Sequence, residues 1–172
     1  MQRDSKKRMK MEFSAGGVVY MRTRRGPMIG FILDPYHKWT FAKGHIERGE
    51  KPIEAARRET EEEMGLSGLK VVAPLGTIDL WFYERYRHGK RVYGPRTLIH
   101  KLVYYFLMRA PQGMRAVPQR GERIHAVRWV GAREAPAILS YKNTRPILAQ
   151  ALRLIRGHTG AGGPSGTKTL QS

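Results

Sequence analysis

Cysteine is absent from this 172-residue chain. That excludes disulfides, zinc–thiolate centres and a thiol nucleophile, and it fits a cytoplasmic location. Long apolar runs are missing too: nothing approaches the ~20 residues that a bilayer-spanning helix needs, and no membrane partner is expected. The N-terminal MQRDSKKRMKMEF carries charge without an apolar stretch, so it does not read as a secretory signal. There is no internal repeat. The six histidines (His37, His45, His88, His100, His125 and His158) show no metal-ligand spacing. Acidic residues are scarce, with 14 Asp and Glu against 32 Lys and Arg, a net charge of +18. Such a balance suits a polyanionic partner, polyphosphate or nucleic acid, and equally a chain kept soluble by charge.

Half of those scarce acids crowd into one place. From Gly44 to Leu66 the chain reads GHIERGEKPIEAARRETEEEMGL, seven of its residues being Glu. Pro52 suits a first helical turn, and Ile53 to Met64 has good helix formers with no interior glycine. Gly65 is placed to end that helix in a left-handed conformation, while Gly44 and Gly49 permit a tight loop before it. At 3.6 residues per turn Glu59, Glu62 and Glu63 share one face, and Ile53, Ala56, Thr60 and Met64 share another that packs on a sheet. Arg58 lies four residues after Glu54 and four before Glu62, so it is placed to hold carboxylates. Like charges at neighbouring helical positions cost roughly 0.2–0.5 kcal/mol per pair. A divalent cation with oxygen ligands reverses that cost, which favours a metal site over a merely solvated acidic face.

Read as a pattern, the segment is Gly, five residues, Glu, seven residues, Arg-Glu, two residues, Glu-Glu, one residue, Gly and an apolar residue. It resembles the signature of the Nudix hydrolases, with Gly44, Glu50, Arg58, Glu59, Glu62, Glu63, Gly65 and Leu66 in place and Thr60 where the family usually has an aliphatic residue. Seven fixed Gly, Glu and Arg positions coincide by chance on the order of 10⁻⁸ per window, so the match is specific. The resemblance runs over about Phe13 to Arg156 and implies an α/β/α sandwich with a mixed sheet and a catalytic loop-helix-loop. It implies Mg²⁺ or Mn²⁺ held by Glu59 and Glu63, with Glu62 in direct or water-mediated contact and the Lys43 backbone carbonyl as a further ligand. Glu50 and Arg58 then orient the helix. Water attacks one phosphorus, and one of Glu59, Glu62, Glu63 or Glu122 takes its proton.

The flanking text narrows the group. Trp39 to Glu50 (WTFAKGHIERGE) is similar to the opening of dinucleoside polyphosphate hydrolases and of a MutT-like group, with Ala42 where many relatives have proline. His100 to Arg109 (HKLVYYFLMR) is similar to their Lys-x-Val-x-Tyr strand, which makes Lys101 and Tyr105 candidates for the phosphate chain or the nucleotide. Tyr105 as ordinary core and Lys101 as an edge residue remain the alternative. The resemblance implies a pyrophosphohydrolase of nucleotide or dinucleotide polyphosphates, oxidised nucleoside triphosphates included. An RNA 5′-end pyrophosphohydrolase and a non-catalytic nucleic-acid- or ribosome-binding module are the rival readings, and the expected state is a monomer or homodimer.

Hydrophobic periodicity supplies the remaining outline. Residues 1–11 read as a flexible basic arm, 12–156 as the domain and 157–172, rich in Gly, Ser and Thr, as a disordered tail. Strands are expected at Phe13 to Arg22, Met28 to Leu33, Leu69 to Ala73, Gly76 to Tyr83, Leu98 to Met108 and Ile124 to Val130. Helices are expected at Arg133 to Tyr141 and Arg145 to Ile155. Strands on both sides of one central helix, with helices at the end, predict a mixed sheet covered on two faces. Trp81 and Phe82 read as packing residues. In the loop between Tyr83 and Arg96, Arg85, Arg87, Lys90 and Arg91 alternate with tyrosines, a pattern that holds phosphates and stacks on bases or forms a solvated hairpin tip.

Overall fold

The computed structural model describes residues 9–87, 90–91, 93, 97–114, 116 and 123–157. Its elements are β1 (Met9–Thr23), β2 (Gly26–Leu33), β3 (Trp39–Thr40), β4 (Ala42–His45), α1 (Pro52–Met64) and β5 (Lys70–Tyr83). They are followed by β6 (Tyr86–Arg87), β7 (Lys90–Arg91), β8 (Leu98–Arg109), β9 (Ala126–Gly131), α2 (Ala135–Ile138), a 3₁₀ turn (Lys142–Thr144) and α3 (Arg145–Gly157). The main sheet runs β3-β2-β1-β8-β5, with β4 also paired to β1 and β9 to β2. Among the described strands only β1 and β8 run parallel, from Met9 opposite Leu98 to Tyr20 opposite Arg109. The sheet is therefore mixed, as expected.

Alternation along β1 and β8 builds two cores, one on each face. Val18, Tyr20, Val103, Tyr105 and Leu107 meet Ile147, Leu148, Ala151 and Ile155 of α3 on one side. Ala15, Val19 and Met108 meet Ala55, Ala56 and Met64 of α1 on the other. Helices thus cover both faces. Gly16 and Gly17 make room on β1: an added Cβ at Gly16 would collide with Ala42 of β4, and one at Gly17 would lie 2.8 Å from Thr60 Oγ1 of α1. Thr60, the departure from the family pattern, is fully buried. Its hydroxyl donates to Ala56 O at 2.6 Å, one turn back, so it needs no partner from the sheet.

Several expectations are corrected. β1 starts at Met9, three residues inside the expected arm, because Met9 to Met11 pair with Leu98 to His100. Leu69 to Ala73 and Gly76 to Tyr83 form one strand, with irregularities at Val71/Ala73 and Pro74/Gly76 that absorb the turn residues between them. Ile53 is exposed and Ala55 takes its place in the core, since the helix begins beyond the sheet's cover. The expected helix from Arg133 to Tyr141 shrinks to Ala135–Ile138. Ser140 stops it by tying to the sheet, its N–H donating to Trp39 O and its Oγ accepting from Trp39 N, each at 3.0 Å. Trp81 and Phe82 are not core but stand exposed, Trp81 with one face against His100, because no helix among the described residues covers that end of β5. Residues 1–8 and 158–172, with most of the expected arm and tail, lie outside the described residues, as do His88, Gly89, Arg96 and Glu122.

Candidate active site

The loop from β4 to α1 and the helix itself form one rigid unit around Arg58. Its Nε donates to Glu50 Oε1 and its Nη2 to Glu50 Oε2, both at 2.8 Å, a two-pronged grip on one carboxylate. Nη2 also reaches His45 O at 3.1 Å, and Nη1 donates to Glu59 Oε1 at 2.7 Å and to Glu62 Oε2 at 3.4 Å. One guanidinium thus joins the loop to two carboxylates of the helix. The Arg58 hydrogen bond holds the Glu50 carboxyl down at about 2, against an ordinary value of 4.5. Glu50 in turn, and then Glu59, raise the guanidinium's pKa above its usual value. Glu54 serves differently from the expected contact with Arg58. Its Oε2 accepts from Lys51 N at 3.0 Å and closes the first turn of α1.

The other end of the helix is fixed as the sequence predicts. Gly65 takes φ 61° and ψ 40°, and Leu66 N donates to Glu61 O at 2.9 Å, so the chain leaves α1 by a left-handed residue. Glu61 Oε1 then accepts from Leu69 N at 2.9 Å, which secures the exit. Between these anchors Glu59, Glu62 and Glu63 face the β4 loop. A Cβ at Gly44 would overlap the Glu59 carboxylate, so any other residue there would push that carboxylate aside. Glu63 Oε2 accepts from Lys43 N at 2.9 Å, which brings Glu63 and Lys43 together.

A divalent cation fits the chemistry of this donor set. The side-chain donors are carboxylate oxygens, which hard cations prefer, and the Glu59 carboxylate lies directly over the Gly44 backbone. Among the described residues, no three histidine or acidic side chains converge as a finished coordination cage. Arg58 Nη1 supplies the counter-charge between Glu59 and Glu62, and the carboxylates would turn from their present partners to bind a metal.

The candidates on β8 part company. Lys101 lies opposite Glu12 of β1 and Leu80 of β5, on the sheet face that carries Val103 and Tyr105. Burial, then the nearby Lys43, lowers the pKa of its ammonium, against the pull of Glu12. It is a half-buried cation near the β4 loop, as a phosphate contact requires. Tyr105 is only 2% exposed, its ring edge-on to Phe41 with centroids 6.2 Å apart. Burial, with the Glu63 charge adding to it, raises the phenol pKa. Of the two readings left open for Tyr105, burial favours ordinary core, where the inward alternation of β8 places it. Ser14, which the sequence did not single out, shares that sheet face, and its buried Oγ has no hydrogen-bond partner among the described residues. Its only sequence signal was a polar residue at an inward position of a strand. Arg85 is exposed beyond the end of β5, and the backbone of Arg87 pairs with Lys90 in the β6–β7 hairpin, a sheet separate from the main one.

Comparison with known proteins agrees with this geometry. The chain is 38% identical over 117 residues to the MutT4 protein of Mycobacterium tuberculosis, covering 68% of this chain but only 42% of that longer protein. It is 29% identical to the asymmetrical bis(5′-nucleosyl)-tetraphosphatase of Sus scrofa, across 81% of this chain and 93% of that one. To an RNA pyrophosphohydrolase of Halorhodospira halophila it is 31% identical, across 76% and 73%. The fold matches a solved complex of the C. elegans Ap4A hydrolase with a TM-score of 0.65 at 22% identity, over 85% of this chain and 98% of that one. The family model described as the NUDIX domain matches residues 12–152, the whole span from β1 into α3, and the chain therefore belongs to the Nudix family.

Proposed function

We propose that this chain is a divalent-metal-dependent pyrophosphohydrolase of dinucleoside polyphosphates or of nucleoside triphosphates, oxidised ones included. As a Nudix hydrolase it acts on phosphorus-containing acid anhydrides. The observation that carries the metal-dependent hydrolase reading is the carboxylate unit itself: Glu59, Glu62 and Glu63 on one helical face, held against the loop through Arg58 and Lys43, while the substrate classes follow those of the relatives. In this reading the three carboxylates and the Lys43 carbonyl hold Mg²⁺ or Mn²⁺. When bound, the ion neutralises charge on the phosphoryl oxygens and positions the reacting groups. Arg58 and Glu50 keep loop and helix in register. One of Glu59, Glu62 or Glu63 takes the proton of the attacking water, unless Glu122 does so. Lys101 contributes a cation to the phosphate chain, where partial burial strengthens the attraction.

A second reading, hydrolysis at RNA 5′ ends, is favoured by the distribution of charge. Outside residues 47–63 the chain carries 28 Lys and Arg against 7 Asp and Glu, so the surface around an acidic site attracts long polyanions. The test is incubation of the purified protein with Mg²⁺ or Mn²⁺ and dinucleoside polyphosphates, nucleoside triphosphates, nucleotide sugars or 5′-triphosphorylated RNA, followed by identification of products. Cleavage of a diphosphate bond in the first two classes supports the proposal, and preference for RNA supports the second reading. No hydrolysis of any of them by folded protein refutes both and leaves a non-catalytic Nudix-fold binding module.

A further inference from the structure

The outer end of the sheet exposes a row of aromatic and apolar side chains on the α1 side. Cross-strand register sets Met11 beside His100 and His100 beside Trp81, with Met9 and Phe13 flanking on β1 and Tyr83 on β5. Met9, Met11, Phe13, Trp81 and Tyr83 are all exposed, Trp81 at 54%. Single exposed apolar residues need no explanation, but a contiguous patch marks a binding surface. This one is also pre-organised. Asp79 Oδ1 holds His100 Nε2 at 2.8 Å, and the imidazole lies on the Trp81 indole at 3.8 Å between centroids and 11° between planes. An exposed indole is thus fixed upright on the sheet.

What the patch takes follows from ring geometry and charge. His100 covers one face of the indole from the β8 side. The other face is turned out past β5, the edge strand of the sheet, where one planar base can stack. Beyond Tyr83 the chain presents Arg85, Lys90 and Arg91, all exposed, and Arg91 lies 5.8 Å over the Tyr93 ring. Rings beside exposed cations suit a ligand with both bases and phosphates. A second copy of the chain is disfavoured, because two molecules of +18 would have to approach each other. A duplex is disfavoured because its bases are already stacked.

We propose that this face binds single-stranded nucleic acid, with a base stacked on the outer face of Trp81 and phosphates on Arg85, Lys90 and Arg91. The inference uses none of the α1 carboxylates, so it does not rest on the pyrophosphohydrolase reading.

The test uses the full chain without added metal and a fluorescein-labelled 12-nucleotide RNA with a 5′-hydroxyl, which lacks the anhydride a catalytic site would cleave. Fluorescence anisotropy should show binding at low salt that a duplex of the same sequence does not match. Trp81→Leu should weaken it about 5- to 150-fold, the contribution of one stacked base, whereas Trp81→Phe should stay within about threefold of wild type. Arg85→Gln with Arg91→Gln should flatten the salt dependence by about 1.4 in log–log slope. Circular dichroism and thermal melting check that the variants fold, which an exposed indole makes the expected outcome. The proposal is overturned if wild type does not bind, if Trp81→Leu binds as wild type does, or if the duplex binds equally well. A wild-type dimer that Trp81→Leu dissociates, with no RNA affinity, would overturn it in favour of self-association.

Discussion

Replacing Arg58 with Met should destabilise the protein by about 2 kcal/mol at pH 7, and the cost should depend on pH. Removing one partner of a buried ion pair costs roughly 3–5 kcal/mol, because the other charge is left unmatched, while an exposed pair contributes about 0–1 kcal/mol. Arg58 and Glu50 side chains are 28% and 15% exposed, between those limits. The methionine keeps much of the apolar stem, so the loss is mainly of charge and hydrogen bonds. The pH dependence follows from Glu50. Its carboxyl is held at about 2 in the folded chain, below its usual 4.5. A depressed folded pKa means that this stabilisation is fully present above about 4.5 and is lost as pH falls towards 2. Urea unfolding of wild type and Arg58→Met, without added metal, should therefore show a gap near 2 kcal/mol at pH 7 that shrinks by more than half at pH 3. Adding Glu50→Gln to the variant should cost little more, since the two residues act as a pair. A gap under about 0.5 kcal/mol at pH 7, or one unchanged at pH 3, would refute the view that this pair ties loop to helix.

Gly44→Ala should cut turnover at least tenfold while leaving the melting temperature within a few degrees, because the new methyl displaces the Glu59 carboxylate rather than a core side chain; steady-state rates beside a melting curve decide it. Lys101→Met should raise KM more than it lowers kcat, and more for longer phosphate chains, if its half-buried ammonium meets the phosphates; equal KM for tri- and tetraphosphate substrates would remove it from the binding site.

Local pattern made much of this molecule legible before any coordinates. The Glu59, Glu62 and Glu63 face, the Gly65 exit and the Pro52 start obey helical period and capping rules that depend on few neighbours. Most strands were legible from alternation. What stayed hidden depends on partners distant in sequence. No rule of period says that Met9 to Met11 pair with Leu98 to His100, or that Ser140 is claimed by Trp39 and cuts α2 short. Trp81 and Phe82 read as core because large aromatics usually are; only the layout of the helices shows that no described helix covers them. Tyr105 stays open by sequence for the converse reason, since a residue type suited to a nucleotide also suits a sheet interior. Glu54 and Glu62 were equivalent partners for Arg58 by spacing, and the N-terminal turn took Glu54 for Lys51.

The central claim is that the α1 carboxylates form a metal-dependent hydrolytic site, and Glu63→Gln tests it most directly. The substitution removes a charge beside Lys43 while keeping the side chain's shape. Turnover of the best substrate from the panel should be measured against Mg²⁺ concentration for both proteins, with unfolding curves as the control. The account predicts that wild-type activity rises with Mg²⁺ and disappears with chelator, and that the folded variant loses at least a hundredfold in rate at every Mg²⁺ concentration. Wild-type rates in the variant at limiting Mg²⁺, or wild-type turnover that persists in chelator, would contradict it.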